Sequence, residues 1–132
     1  QNQVAGVVVQ AQSAPRLSSC KMYSNEGCGM LINSQSSGEV LKCAVYGNML
    51  AGIAVKDDAD PVLSECIIRD GHDAGVLVCS GAAPVLSDCQ IKDNAQAGVA
   101  VSAQGAPQLL RCTVSGNASG ISIVDGGHGV YT

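Results

Sequence analysis

The chain reads as an all-β protein, a single-stranded right-handed parallel β-helix (a solenoid) of about 23 residues per coil with three short strands in each. Three observations predict this. The first is one period shared by several residue types. Cys20, Cys43, Cys66, Cys89 and Cys112 recur every 23 residues, and Gly6, Gly29, Gly52, Gly75 and Gly98 keep the same spacing. A self-repeat with a period in the twenties fixes architecture before any local reading does. The second is apolar alternation two residues apart, three times in each period, with no helical spacing. The third is a pair of turn residues at a constant offset, at Ser24-Asn25, Gly47-Asn48, Asp70-Gly71, Asp93-Asn94 and Gly116-Asn117.

The first strand of each unit is carried by segments such as Cys28-Gly29-Met30-Leu31-Ile32, Ala51-Gly52-Ile53-Ala54-Val55 and Ala74-Gly75-Val76-Leu77-Val78. Two positions in it are always apolar and β-prone: Val7, Met30, Ile53, Val76, Val99 and Val9, Ile32, Val55, Val78, Val101. Lying two apart, they face one way, and the residue between them faces the other. The second strand follows the periodic proline (Pro15, Pro61, Pro84, Pro107) and points Leu17, Val40, Leu63, Leu86 and Leu109 inward. The third carries the cysteine and then Met22, Val45, Ile68, Ile91 and Val114. Asn and Gly at the corner before the next coil tolerate left-handed backbone, and stacked Asn side chains can hydrogen-bond along the column. Each strand is expected to pair with its equivalent one coil on, about 4.8 Å away, and parallel crossovers favour the right hand. A leucine-rich repeat shares the period but needs a Leu-x-x-Leu-x-Leu run, which these units lack.

Residues 1–132 are expected to form a single β-helix domain of about five full coils with partial coils at the ends. Asn117 to Gly120 is one residue shorter than the equivalent Asn94 to Gly98, after which Ile121 and Ile123 supply another first-type strand. Asp125-Gly126-Gly127-His128-Gly129 fits a loop or a divergent coil. No polar cap is recognisable at either end, although a solenoid requires one. The chain is therefore expected to be a fragment of a longer array, or to have its ends covered in an assembly.

Composition narrows the function classes. The 132 residues carry a net charge of −4, with three Tyr and neither Phe nor Trp. The core must therefore be built from many small aliphatic layers. Nucleic-acid binding, which needs a basic footprint, is not expected, and no apolar run approaches the length of a membrane-spanning helix. The seven cysteines are odd in number and five share one repeat position, so they read as small buried hydrophobes. That reading places the protein in a reducing, intracellular compartment, cytoplasmic or nuclear.

The unit Asp60-Pro-Val-Leu-Ser-Glu-Cys-Ile-Ile-Arg-Asp-Gly-His-Asp-Ala-Gly-Val-Leu-Val78 resembles the right-handed β-helix repeats of F-box proteins and of NosD-like proteins. Residues 83–94 and 48–55 match the same pattern, so the resemblance spans nearly the whole chain. It implies the fold and a possible role in substrate recognition or scaffolding. An F-box itself is absent from these residues. Such repeats also occur in surface proteins and polysaccharide enzymes, and fold alone does not carry function.

Candidate chemistry is sparse. Asp57, Asp58 and Asp60 form the one dense acidic cluster, but the stacked residues of neighbouring coils supply no further hard oxygen ligands. A solvated turn accounts for them, and neither a metal nor a cofactor is expected. His72-Asp73 lacks a nucleophile at adjacent positions, so His72 reads as a surface turn residue. Tyr23 and Tyr46 stack on consecutive coils, but their column continues as Arg69, Lys92 and Ser115. The chain is therefore not expected to be an enzyme. The alternative is a fragment of a carbohydrate-binding or polysaccharide-degrading β-helix protein whose catalytic residues lie elsewhere.

One column departs from the pattern. The outward position of the first strand reads Val8, Leu31, Ala54, Leu77 and Ala100. Solvent-facing sheet positions are normally polar, and contiguous exposed apolar surface marks an interaction site or a covered face. The next outward position, Gln10, Asn33, Lys56, Cys79 and Ser102, would form a rim. These five apolar residues are the candidate partner-binding site, for another protein or for self-association through the exposed sheet.

Overall fold

The structure is a computed structural model, describing residues 5–9, 16–33, 35–102, 104–123 and 130–131. Its strands repeat in threes. The first sheet contains β1 (Ala5–Val9), β4 (Cys28–Ile32), β7 (Ile53–Val55), β10 (Val76–Val78), β13 (Ala97–Val101) and β16 (Ser119–Ile123). The second contains β2 (Arg16–Ser18), β5 (Glu39–Leu41), β8 (Val62–Ser64), β11 (Val85–Ser87), β14 (Gln108–Leu110) and β17 (Val130–Tyr131). The third contains β3 (Lys21–Tyr23), β6 (Ala44–Tyr46), β9 (Ile67–Arg69), β12 (Gln90–Lys92) and β15 (Thr113–Ser115). All pairings are parallel; up to β15 they join residues 23 apart, as in Met30 with Ile53 and Ile53 with Val76, and those to β16 and β17 join residues 22 apart. The shortened last corner is absorbed before β16, which pairs Val99 with Ile121. The Asp125–Gly129 stretch and residues 1–4 lie outside the described residues.

The inward columns are those that alternation indicates. Met30, Ile53, Val76 and Val99, with Ile32, Val55, Val78 and Val101, are buried beneath the first sheet. Leu63 and Leu86 come from the second sheet, and Val45, Ile68 and Ile91 from the third. The cysteines line the corner between the second and third sheets. Cys43, Cys66 and Cys89 are buried, Cys20 and Cys112 are half-buried, and all are free thiols.

Two polar columns sit inside. Asn25, Asn48 and Asn94 are buried, yet their amides are satisfied along the stack. Asn48 Oδ1 accepts from Asn25 Nδ2 at 2.8 Å and from Asn25 N at 3.1 Å, while Asn48 Nδ2 donates to Met22 O. Asn94 repeats this with Asn117 as acceptor, at 2.9 Å for Nδ2 and 2.8 Å for N. Gly71 interrupts the ladder and keeps only its amide bond to Asn94 Oδ1, 3.0 Å. Thiols act likewise: Cys66 Sγ donates to Val40 O and Ser64 O, and Cys89 Sγ to Leu63 O and Ser87 O.

The corners correct one sequence expectation. The left-handed residue is not the asparagine but the residue before it: Ser24, Gly47, Asp70, Asp93 and Gly116, with φ from 51° to 67°. The asparagine is instead turned inward to cap the neighbouring coil. A second left-handed column, Ser19, Lys42, Glu65, Asp88 and Arg111, precedes the cysteines with φ from 54° to 57°. It contains no glycine or asparagine that would mark it. Each coil-to-coil amide bond there is good, as in Lys42 N to Ser64 O and Glu65 N to Ser87 O, both 2.9 Å.

The periodic glycine answers to close approach. A Cβ on Gly75 would lie 2.6 Å from Ile91 Cγ2 and 2.7 Å from Gly98 O. The backbone of the next coil cannot yield. We expect Gly75→Ala to lower stability by about 3 kcal/mol, the upper range for an overpacked core, in urea unfolding. Gly120→Ala, in the same column but with nothing within 4 Å, should be close to neutral. Gly71→Asn should do the reverse, closing the ladder and adding about 1 kcal/mol, the net value of a buried hydrogen bond. A midpoint no higher than that of the parent chain would show that the ladder tolerates its gap without cost.

Candidate functional site

The outer face of the first sheet is built by the residues that alternation turns away from the core. Of the five expected there, Leu31, Leu77 and Ala100 are half-buried on that surface, and the side chain of Val8 lies outside the described residues. Ala54 corrects the expectation of exposure: it is 2% exposed. Its methyl group stands in register between Leu31 and Leu77, and the larger neighbours cover it. The column is therefore uneven, with leucines raised and alanines recessed, and it continues on β16 as Ser122.

A second column on this face escaped the sequence reading. Ala51, Ala74 and Ala97 precede the periodic glycines and are buried, while Cys28 holds the same position on β4, between Ala5 and Ala51, and Ser119 holds it on β16. Together with the first column they leave an open groove of about 290 Å³. It is lined by Ala74, Leu77, Ala97, Ala100, Ser119 and Ser122, with Asp73 and Gln96 as polar side chains. The signal was available, since Ala-Gly opens four of the first-strand segments. Its meaning lay in the residue pointing outward, where a small side chain lowers the surface.

Charge is confined to the margins of this face. Asp73 turns its carboxylate onto the Ala74 amide at 2.9 Å. Cys28 was expected to be buried but is half-buried, and burial pushes its thiol up against the pull of Lys56. Leu50 occupies the same position in the coil as Asp73 and Gln96. It is 50% exposed, and the adjacent Met49 is 53% exposed, so apolar surface extends around the corner.

None of the other sequence candidates lines the groove. Asp57, Asp58 and Asp60 are exposed on the turn between the first and second sheets, and His72 is exposed at the asparagine corner. Among the described residues no three His, Cys, Asp or Glu side chains converge as a metal ion requires. Tyr23 and Tyr46 stack with ring centroids 5.1 Å apart and planes within 3°, and the Arg69 guanidinium lies 4.4 Å over Tyr46. Tyr46 is thus covered on one face by a ring and on the other by a cation, while Tyr23 at the end of the pair is 52% exposed. Ion pairs lie on the outer face of the second sheet and at the corner that follows it. Arg16 pairs with Glu39 at 3.3 Å, and Arg111 with Asp88 at 2.9 Å.

A family model described as a right-handed β-helix region matches residues 1–132. The curated proteins yielded no match. The solved structures yielded none either.

Thiol chemistry reports on this surface. Denaturing titration should count all seven cysteines as free thiols. In the folded protein Cys79, half-buried on the outer face of the first sheet, should react first, and Cys28 on the same face more slowly because burial pushes its thiol up. Cys43, Cys66 and Cys89 should be protected. Cys89 is the most resistant, because hydrogen bonds with Cys112 and Cys66, added to burial, push its ionisation up. The thiolate is the reactive form, so the raised Cys28 should be alkylated at a rate still climbing above pH 9. Mass mapping that finds Cys66 labelled before Cys79, or a disulfide within the column, would contradict these placements.

Proposed function

The chain belongs to the right-handed β-helix family, and we propose that it works as a non-catalytic repeat module that presents the outer face of the first sheet to a protein. One observation carries this reading. Across β4, β7, β10 and β13 the central outward column is wholly apolar (Leu31, Ala54, Leu77, Ala100), and it borders a groove floored by alanines. Solvated sheet faces are normally polar; the outward columns of the other two sheets mix polar residues (Lys21, Gln90, Arg16, Glu39) with exposed apolar ones (Ile67, Val62), whereas this column is apolar in every coil from β4 to β13. Contiguous apolar surface on a folded protein is best explained by what it meets.

The chemistry available supports recognition over catalysis. Acid–base work requires titratable groups held together across a reacting bond. The exposed acids Asp57, Asp58 and Asp60 lie on a different turn from the imidazole of His72, and none of the four lines the groove. The groove itself offers methyl groups, hydroxyls and one carboxylate already engaged by the backbone. Substrate recognition or scaffolding is the role such a surface fits.

The test is the double change Leu31→Lys with Leu77→Lys. Both side chains point away from the core, so the melting temperature should move by no more than about 2 °C, as for ordinary surface changes. Association with protein, measured by quantitative comparison of what the parent and changed chains retain, should be lost. Unaltered retention would make the column idle surface and end this reading. Immobilised soluble polysaccharides should retain neither chain; retention of the parent chain would favour a carbohydrate module.

A further inference from the structure

We propose that the outer face of the first sheet pairs with a second copy of the same chain, face to face and with the coil axes antiparallel. The proposal rests on the reading of this face as an interaction surface and names its occupant. The observation is the order of side-chain sizes along the column. Leu31, Ala54, Leu77 and Ala100 alternate large and small, one per coil. A closed dimer has two-fold symmetry, so its interface must be complementary to itself. A two-fold axis parallel to the strands, passing midway between β7 and β10, sets Leu31 against Ala100 of the second copy and Ala54 against Leu77. Every leucine then stands opposite an alanine position: Leu31 over the open groove at Ala100, and Leu77 over Ala54, which its own neighbours already cover. Shared direction of the coil axes in equal register would set leucine on leucine.

The groove provides the seat. It is bounded by Leu77 on one side and Ser122 on the other, with Ala100 between them. That is where the two-fold places Leu31 of the second copy. The volume, about 290 Å³, accommodates a leucine side chain with room for Ala97 and Ser119 to close around it. The flanking columns agree with this register. Cys28 meets Ala97, Ala51 meets Ala74, and Lys56 meets Cys79, so no two like charges are set directly opposite. Asp73 lies at the margin with its carboxylate on its own Ala74 amide.

Area sets the strength. Four to five strands at about 4.8 Å and four to five residues at about 3.3 Å give a footprint of roughly 300 Å² per copy. Twice that is about half of the ~1,200 Å² at which stable specific interfaces begin. The dimer is therefore weak and in rapid exchange, filling only at high protein concentration.

Sedimentation equilibrium of the whole chain from about 0.05 to about 1 mM tests this, a range chosen for an interface below the stable class. The weight-average mass should rise from monomer toward dimer. Leu31→Glu alone and Ala100→Lys alone should each weaken association about tenfold or more. Combined in one chain they face each other across the two-fold and should restore it to within about threefold of the parent. Should the charged changes disturb folding, the volume-preserving pair Leu31→Ala with Ala100→Leu replaces them. Leu31→Ala alone should lose association, and the pair should regain it. A parent chain that stays monomeric at the highest concentration overturns the proposal, and so does a pair that associates no better than its single changes. The underlying reading fails separately: a monomeric parent chain that still loses another protein on Leu31→Lys with Leu77→Lys leaves the interaction face standing.

Discussion

Parallel in-register pairing between coils is the constraint on which everything else rests. Each residue has its equivalent from the next coil as a neighbour at about 4.8 Å, so the sequence must stack like on like. Buried polar groups survive only where the residue type can satisfy itself along the column. Asparagine does so because it carries both an acceptor and donors, and Asn48 spends each on an adjacent coil. Cysteine does so weakly through Sγ contacts to carbonyl oxygens. Charged residues can occupy a column only on the surface and do better when sign changes along it, as where Arg111 reaches Asp88.

The same constraint explains the exceptions. Ser36 is fully buried, and among the described residues its Oγ has no partner, in a column that continues as Ala59, Ala82 and Gly105. An unpaired buried hydroxyl costs about 1–3 kcal/mol, and the cost is local because each coil touches only its neighbours. Gly71 is a second local loss, sparing a side chain and giving up one rung of the ladder. A globular core of similar size would spread such defects through shared packing. Here they are isolated between two coils.

Strand positions and inward columns were legible because period and alternation each give an independent reading of them, and the two agree at Met30, Ile53, Leu63 and Ile91. The corners were half legible. Asparagine announces the corner, but the residue that turns is the one before it, and at Lys42, Glu65, Asp88 and Arg111 nothing in the residue type announces a turn at all. Left-handed backbone costs an ordinary residue about 1–2 kcal/mol. It is held there by amide bonds such as Asp88 N to Leu110 O, 2.9 Å, which depend on the coil and not on the side chain. Ala54 was misjudged for a related reason. Alternation tells which way a side chain points, whereas its exposure depends on the heights of Leu31 and Leu77 beside it.

Outward positions are the ones that stacking leaves free, and this makes their pattern informative. Inside, a column of equal-sized residues gives every coil the same cross-section, and Ile53, Val76 and Val99 follow that rule. Outside, solvated columns need only avoid repulsion, and they vary without order, as Lys21, Ala44, Ile67, Gln90 and Thr113 do. The column from Leu31 to Ala100 fits neither case. It is uniformly apolar, which a solvated column has no reason to be, yet it alternates in size, which coil-to-coil packing does not require. Apolar character and alternation together are what the proposed contact, lying across several coils, would require. The adjoining alanines at 51, 74 and 97 deepen it along the same direction. On the proposed reading, what the first sheet presents is set by an external contact, as the inner columns are set by the contact between coils.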